Sequence, residues 1–349
     1  MNDKIKIGSS IISRQSPTYI VAEMSGNHNG DIGRAKEIIK SAKDIGADAI
    51  KIQTYTADTI TFNSDEECFR ATGKFWKGRT LYDLYQEAYT PWEWQEELKN
   101  YAQEIGIDFF SSPFDLTAVD FLENVGVCAY KIASYEINDI PLIRKVAKTG
   151  KPIIISTGIA KLEDIELAIA TCKEENNEDV ILLKCLSAYP APHEDMNLRV
   201  IPNIADTFNC LVGLSDHSLG NETAIASVAL GACVIEKHLT LKRSDGGVDS
   251  GFSMEVDEFA KMIEQIRNVE KALGKVTYEL TSKQIEQRKS SRSLFVVKDI
   301  KEGDIFTAEN VRSIRPGIGM HTKYYEDVLG KKARRTLKAG VPLDWSMID

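Results

Sequence analysis

Eight short apolar runs recur along the chain, each followed by a longer segment with helical spacing. The runs are TYIVAEMS, DAIKIQTY, IDFFSSPF, CAYKIASYE, PIIISTGI, DVILLKCLSAYP, CLVGLSDHS and ACVIEKHLTL. Between them lie segments such as IGRAKEIIKSAKDIGA, PWEWQEELKNYAQEIG and NETAIASVALGA. Several of these stop at Gly just before the next run, the usual end of a helix. Strands alternating with helices imply parallel pairing. Eight such units within roughly 250 residues are the content of an α/β (β/α)8 TIM barrel. A doubly wound open sheet is the competing arrangement, but no GxGxxG follows the first run, which removes its best support.

The repeat ends with VDEFAKMIEQIRNVEKALG, and the chain then changes character. Residues 1–274 read as the barrel domain. Residues 275–292, KVTYELTSKQIEQRKSSR without its flanks, read as a polar linker. Residues 293–349 read as a small β-rich domain. That last part carries an internal echo, IKEGDIF at 300–306 against LKAGVPL at 337–343. A core of that size is thin, and such a domain is expected to lean on a partner surface.

Composition narrows the function. With 43% hydrophobic and 27% charged residues the chain reads as soluble and globular. No apolar run is long enough to span a membrane, and MNDKIKIGSSIISRQ has no secretion-signal layout, so a cytoplasmic protein is expected. A formal charge of −9 argues against nucleic-acid binding, so an anionic substrate has to be drawn by a local basic cluster. The six cysteines form no close pair and read as buried, reduced thiols.

The informative pattern is where polar residues fall. They gather at the C-terminal end of every run: Glu23 and Ser25; Lys51 and Gln53; Ser111 and Ser112; Lys131, Ser134 and Glu136; Ser156 and Thr157; Ser187 and Tyr189; Ser215, Asp216 and His217; Glu236 and His238. In a barrel enzyme that face carries the active site. His217 and His238 end the last two strands, which are neighbours. Two unrelated rim histidines are the plain alternative. Beside Glu236 the pair favours an open divalent-metal site, and the absence of a cysteine set speaks against structural zinc. Mn²⁺, Mg²⁺ or Co²⁺ suits such a site.

Lys51 and Lys131 lie inside otherwise apolar strands, where a lysine must face a polar mouth or be neutralised. A buried ion pair with Glu23 or Glu136 is one reading. A phosphate cradle built with Ser134, Ser156 and Ser215 is another. A Schiff-base lysine is a third, but it calls for one essential lysine rather than two equivalent ones. NHNG, at Asn27 to Gly30, serves equally as a turn before a helix and as a substrate contact. FWKGRTLYDLYQEAYTPWEW, at 75–94, reads mainly as helix packed on the barrel, with some of its aromatics roofing the mouth.

The motifs AEMSGNHNG, ADAIKIQTY, YKIASYE, STGIA, LKCLSAYPAP, GLSDHS and GACVIEKHLTL together resemble the sialic-acid synthase family. The tail, from SRSLFVVKDIKEGD through IRPGIG to LKAGVPL, resembles that family's antifreeze-like (SAF) domain. The resemblance implies condensation of phosphoenolpyruvate with an N-acetylated amino sugar. Three segments resemble the pseudaminate branch of the family: the 75–94 insertion, GGVDSGFSMEVDEF and EDMNLRVI. By the same resemblance, Lys51, Lys131, Ser134, Ser156 and Ser215, with Gln53 and Ser187, are expected to contact phosphoenolpyruvate. His217 and His238 are expected to bind the metal. Glu23, Asn27, Tyr189 and Asp249 are expected to face the sugar, and Glu136 to steer water or a proton. The resemblance also implies a domain-exchanged homodimer, in which Arg315 reaches the sugar bound by the other subunit. Neuraminate or legionaminate synthesis, a Schiff-base aldolase and a non-catalytic sugar-binding module are the rival readings.

Overall fold

The computed structural model describes residues 1–71 and 76–349. They form two compact units, Met1–Gly274 and Lys275–Asp349. The first contains eight parallel strands closed into a barrel: β3 (Tyr19–Glu23), β4 (Ala49–Thr54), β5 (Asp108–Pro113), β6 (Tyr130–Ile132), β7 (Ile153–Ser156), β8 (Val180–Cys185), β9 (Leu211–Asp216) and β10 (Val234–His238). β10 pairs with both β9 and β3 and closes the ring. Each strand is one of the eight runs. Their near-continuous apolar character follows from burial on both faces, inside by the opposite strands and outside by helices.

Register decides which polar residues meet. His238 is level with Glu23, Glu23 with Lys51, and Glu236 with Ser215. Successive side chains on a strand alternate between barrel interior and helix layer. Helices start where short polar side chains cap free backbone N–H groups. Asp31 accepts from Gly33 and Arg34 N at the head of helix Ile32–Asp44, and Asp115 does the same at the head of Leu116–Val125.

A hairpin that the eight-run pattern does not contain precedes the barrel: β1 (Lys4–Ile7) paired with β2 (Ser10–Ser13). Its Ile5, Ile7 and Ile12 are fully buried. Ser9 N donates to Asp108 Oδ1, at the start of β5, over 3.1 Å. Asn2 Nδ2 donates to Asp179 Oδ1, just before β8, over 2.7 Å. The hairpin therefore lies across the N-terminal ends of the strands, opposite the mouth.

In the second unit, part of the stretch expected to be linker is helical, at Ser282–Arg288. The Thr281 hydroxyl caps it by accepting from Gln284 N. β11 (Ser293–Val296) and β12 (Val311–Ile314) pair antiparallel. The two echoing segments turn out to be partners. Ile300 N donates to Leu337 O over 2.9 Å, and Leu337 N donates back to Ile300 O over 2.8 Å. Leu294, Val296, Ile300, Phe306, Val311 and Leu337 form the small core beneath them. Among the described residues, no helix is long and apolar enough to cross a membrane.

Candidate active site

At the centre of the mouth lie two lysines and two carboxylates, all buried. Lys51 Nζ is 2.7 Å from Glu23 Oε2 and 3.7 Å from Glu236 Oε1. Lys131 Nζ is 3.6 Å from the same Glu236 oxygen. Ser215 Oγ donates to that oxygen over 3.1 Å, and Lys51 donates to Ser112 Oγ over 3.3 Å. Burial works against the Lys51 charge, but Glu23 and Glu236 outweigh it and raise its pKa. For Lys131 burial prevails and lowers the pKa. Burial pushes Glu23 up, whereas Lys131 and Lys51 overcome burial at Glu236 and hold it down. Glu236 Oε1 thus marks the point where both lysines and a serine hydroxyl converge on one negative oxygen. Gln53 Nε2 donates to Glu23 Oε1 over 2.9 Å and to Ser25 Oγ over 3.0 Å, so its amide braces neighbouring side chains.

Hydroxyls line the next arc. Ser187 Oγ donates to Ser134 Oγ over 2.8 Å, and Ser134 Oγ also accepts from Ile159 N. Gly158 backs this pair: a Cβ there would sit 2.3 Å from Ser187 Oγ and 2.5 Å from Ser134 Oγ. Gly158 directly follows the Ser-Thr end of the run PIIISTGI, and that placement is its signal in the sequence. Ser156, at the end of β7, is buried with an unpartnered hydroxyl. Glu136, just beyond β6, has its carboxyl pushed up to about 7, chiefly by burial, with Lys131 pulling the other way.

His217 and His238 face each other with ring centroids 5.4 Å apart. His217 Nδ1 lies 3.1 Å from Leu186 O and 3.8 Å from Cys185 Sγ, so one of the buried thiols sits beside the histidine pair. Burial presses His238 well below its ordinary pKa, toward the neutral form a metal ligand needs, whereas at His217 burial is outweighed by Cys185 and the pKa rises, so His217 has to give up its proton to a bound ion. Its Nδ1 is buried without a partner. Two imidazoles with a free buried nitrogen fit a divalent ion whose other positions go to water and substrate. Among the described residues no group of three His, Cys, Asp or Glu side chains is placed to hold one. Glu236 is engaged by the lysines and Ser215. Tyr189 stacks between His217 (4.4 Å between centroids) and Phe252 (5.1 Å), and Trp76 stands 5.8 Å from Tyr189. Phe75, the first residue of the aromatic insertion, lies outside the described residues. Tyr85 in that insertion stands near enough to Glu136 and Asp249 for both, after burial, to raise its phenol.

The NHNG segment clamps the loop after β10. Asn27 Nδ2 donates to Leu239 O and Ser253 Oγ, Asn29 Nδ2 to Gly246 O, and Arg34 pairs with Asp245. His28 is buried against Trp94 and its pKa falls to about 4 through burial, so it is a packing residue. Asp249 Oδ2 accepts from Ser25 Oγ over 2.5 Å and from Gly26 N over 3.3 Å. Arg315 belongs to the second unit, where it is exposed.

Not every polar strand end converges on the mouth. Ser111 shares a hydrogen bond with Thr54 Oγ1, which donates to Gln95 in helix Trp92–Ile105. Asp216 accepts from Lys237, Ser218 and Thr223. Both face the helix layer, because the pleat alternates and their neighbours Ser112 and Ser215 face inward. Lys237 is outward for the same reason, which explains three ionisable residues in a row on β10.

The buried polar side-chain atoms without a hydrogen-bond partner among the described residues are Asn27 Oδ1, Glu136 Oε2, Ser156 Oγ, Glu236 Oε2, His238 Nδ1 and Glu23 Oε2, the last held only by its ion pair. All lie at or just beyond the C-terminal ends of barrel strands. Buried polar atoms are ordinarily satisfied, so such a cluster marks a ligand site.

This is a barrel with a charged, hydroxyl-lined mouth, and the chain belongs to the NeuB family, whose model matches residues 38–278; the SAF domain model matches residues 291–349. It is 49% identical over 322 residues to the pseudaminic acid synthase of Campylobacter jejuni (serotype O:23/36, strain 81-176), covering 92% of this chain and 94% of that one. It is 45% identical to the pseudaminic acid synthase of Helicobacter pylori, covering 94% and 96%. The crystal structure of an N-acetylneuraminic acid synthetase from Leptospira borgpetersenii superposes with a TM-score of 0.74 at 33% identity, over 82% of this chain and 95% of that one.

Proposed function

We propose that this chain condenses phosphoenolpyruvate with 2,4-diacetamido-2,4,6-trideoxy-L-altrose and water, giving pseudaminic acid and phosphate by C–O cleavage. The observation that carries the chemistry is the convergence of Lys51, Lys131 and Ser215 on one buried anionic oxygen. The choice of sugar is supported by the higher identity to the two pseudaminic acid synthases than to the neuraminic acid synthetase.

In this reading Lys51 and Lys131 hold the phosphate, with Ser134, Ser156, Ser187 and Ser215 donating to its oxygens. Gln53 keeps Glu23 turned toward Lys51. His217 and His238 would hold the divalent ion, Mn²⁺, Mg²⁺ or Co²⁺. When bound, such an ion supplies Lewis acidity to a carbonyl oxygen. The phosphoenolpyruvate C3 attacks the sugar aldehyde carbon, whose oxygen takes up a proton; positive charge develops at C2, water adds there and loses a proton, and the C2–O bond to phosphate then breaks, releasing inorganic phosphate. Glu136, poised near neutrality, steadies that charge and takes a proton from the water. Glu23, Asn27, Tyr189 and Asp249 shape the sugar side.

A second copy of the chain would cover the mouth and bring Arg315 to the sugar. In support, exposed apolar side chains ring the mouth: Phe62, Tyr135, Ile159, Leu162 and Leu219. Arg315 itself has no ion-pair partner among the described residues. A cytoplasmic site of action is part of this reading; among the described residues no helix is long and apolar enough to cross a membrane. The test is phosphate release from phosphoenolpyruvate with a panel of acetamido sugars, with and without divalent ion. Release highest with the diacetamido-trideoxy-altrose supports the reading, and a preference for N-acetylmannosamine overturns it. A fully active monomer in light scattering removes the role of Arg315.

A further inference from the structure

Ser25 directly follows β3 and Met24, and its backbone lies in the left-handed region at φ 46. A residue with a Cβ adopts that conformation only where its surroundings hold it there. Its side chain shows what does. The hydroxyl donates to Asp249 Oδ2 over 2.5 Å and accepts from Gln53 Nε2 over 3.0 Å, and all three groups lie inside the mouth. Gln53 in turn donates to Glu23 Oε1, whose other oxygen meets Lys51 Nζ at 2.7 Å. An unbroken relay therefore runs from the loop after β10 to the lysine at the centre of the barrel. The other ties from this segment to that loop, through Gly26 N on Asp249 Oδ2 at the longer distance of 3.3 Å and through Asn27, Asn29 and Arg34, end on the loop and reach no lysine.

We infer that Ser25 is a positioning residue that fixes Asp249 on the acceptor side and, through Gln53 and Glu23, couples that loop to Lys51 on the donor side. The inference rests on the function proposed above, in which Asp249 faces the sugar and Lys51 the phosphate. Its strained backbone is the device: a hydroxyl in this rotational position can reach Asp249 and Gln53 at once.

Two variants separate the hydroxyl from the backbone. S25G adopts the left-handed region freely, so its melting temperature should equal or exceed that of the parent. S25A keeps the Cβ and loses only the hydroxyl. Both are expected to raise the sugar KM about tenfold, the loss of one hydrogen bond to a charged group, and the phosphoenolpyruvate KM by only about twofold, because Gln53 loses its tie to the loop but still donates to Glu23. In a double-mutant cycle S25A and D249N should be non-additive, since each breaks the same bond. S25G with parental KM for both substrates overturns the inference, because relief of strain is then the whole effect. If the parent enzyme releases no phosphate with any acetamido sugar, the proposed function fails instead. Amide exchange over residues 245–252 then decides the latch: faster exchange in S25A supports it, and unchanged exchange overturns it.

Discussion

His217 and His238 face each other across 5.4 Å from the ends of neighbouring strands, and burial presses the pKa of His238 down while its Nδ1 stays unpartnered. A neutral imidazole nitrogen buried without a donor is costly unless something binds it. Chelation should therefore abolish turnover, and Mn²⁺, Mg²⁺ or Co²⁺ should restore it. H238A should weaken Mn²⁺ binding, followed by electron paramagnetic resonance, by more than about a hundredfold. Full activity after exhaustive chelation would end the metal reading.

Lys51 is the only cation within bonding reach of Glu23 among the described residues. K51M leaves a buried carboxylate unpaired and should destabilise the barrel by about 3–5 kcal/mol in urea denaturation. E23Q/K51M should recover part of that loss. Borohydride treatment with substrate should leave the mass of the protein unchanged, since both lysines serve as charges; a trapped adduct lost in one lysine variant would favour an aldolase.

Glu136 sets a pH limb. Its carboxyl, near 7, loses its proton as pH rises, and the carboxylate is the form that steadies positive charge. kcat should rise with pH through about 7, and E136Q should flatten that limb. Stability runs the opposite way. A folded pKa above the unfolded value near 4.5 means that Glu136 costs stability progressively from about pH 4.5 to 7 and fully above that. E136Q should therefore melt higher than the parent at pH 8. An E136Q variant with unchanged phosphate release would remove this role.

Gly158 stands where a methyl group would press into Ser134 and Ser187. G158A should raise the phosphoenolpyruvate KM by at least about tenfold, since hydroxyls displaced by even 1 Å lose their hydrogen bonds. Circular dichroism should show the fold retained.

The barrel was legible because eight buried parallel strands read as eight apolar runs, and the mouth because lysines cannot sit inside such runs unless they meet a polar centre. Pleat direction was less visible. Ser111 and Asp216 resemble their inward neighbours in type, and only a one-residue offset sends them to the helix layer. Ser25 reads in the sequence as one more polar strand end and Gly158 as one more turn glycine, because a backbone angle and a close approach carry their meaning, and neither is written in residue type. The N-terminal hairpin was missed because KIKI and SIIS are four-residue strands outside the repeat.

That hairpin has a kinetic consequence. With Ile5, Ile7 and Ile12 packed beneath the strands, the barrel is a vessel with one opening. Lys51 and Lys131 lie within their strands, while Tyr189 and Asp249 lie beyond theirs. Whatever occupies the lysines sits beneath whatever occupies the rim. In the proposed reaction the two substrates should therefore queue, the small anion entering before the sugar, and inorganic phosphate should inhibit competitively against phosphoenolpyruvate in initial-rate measurements.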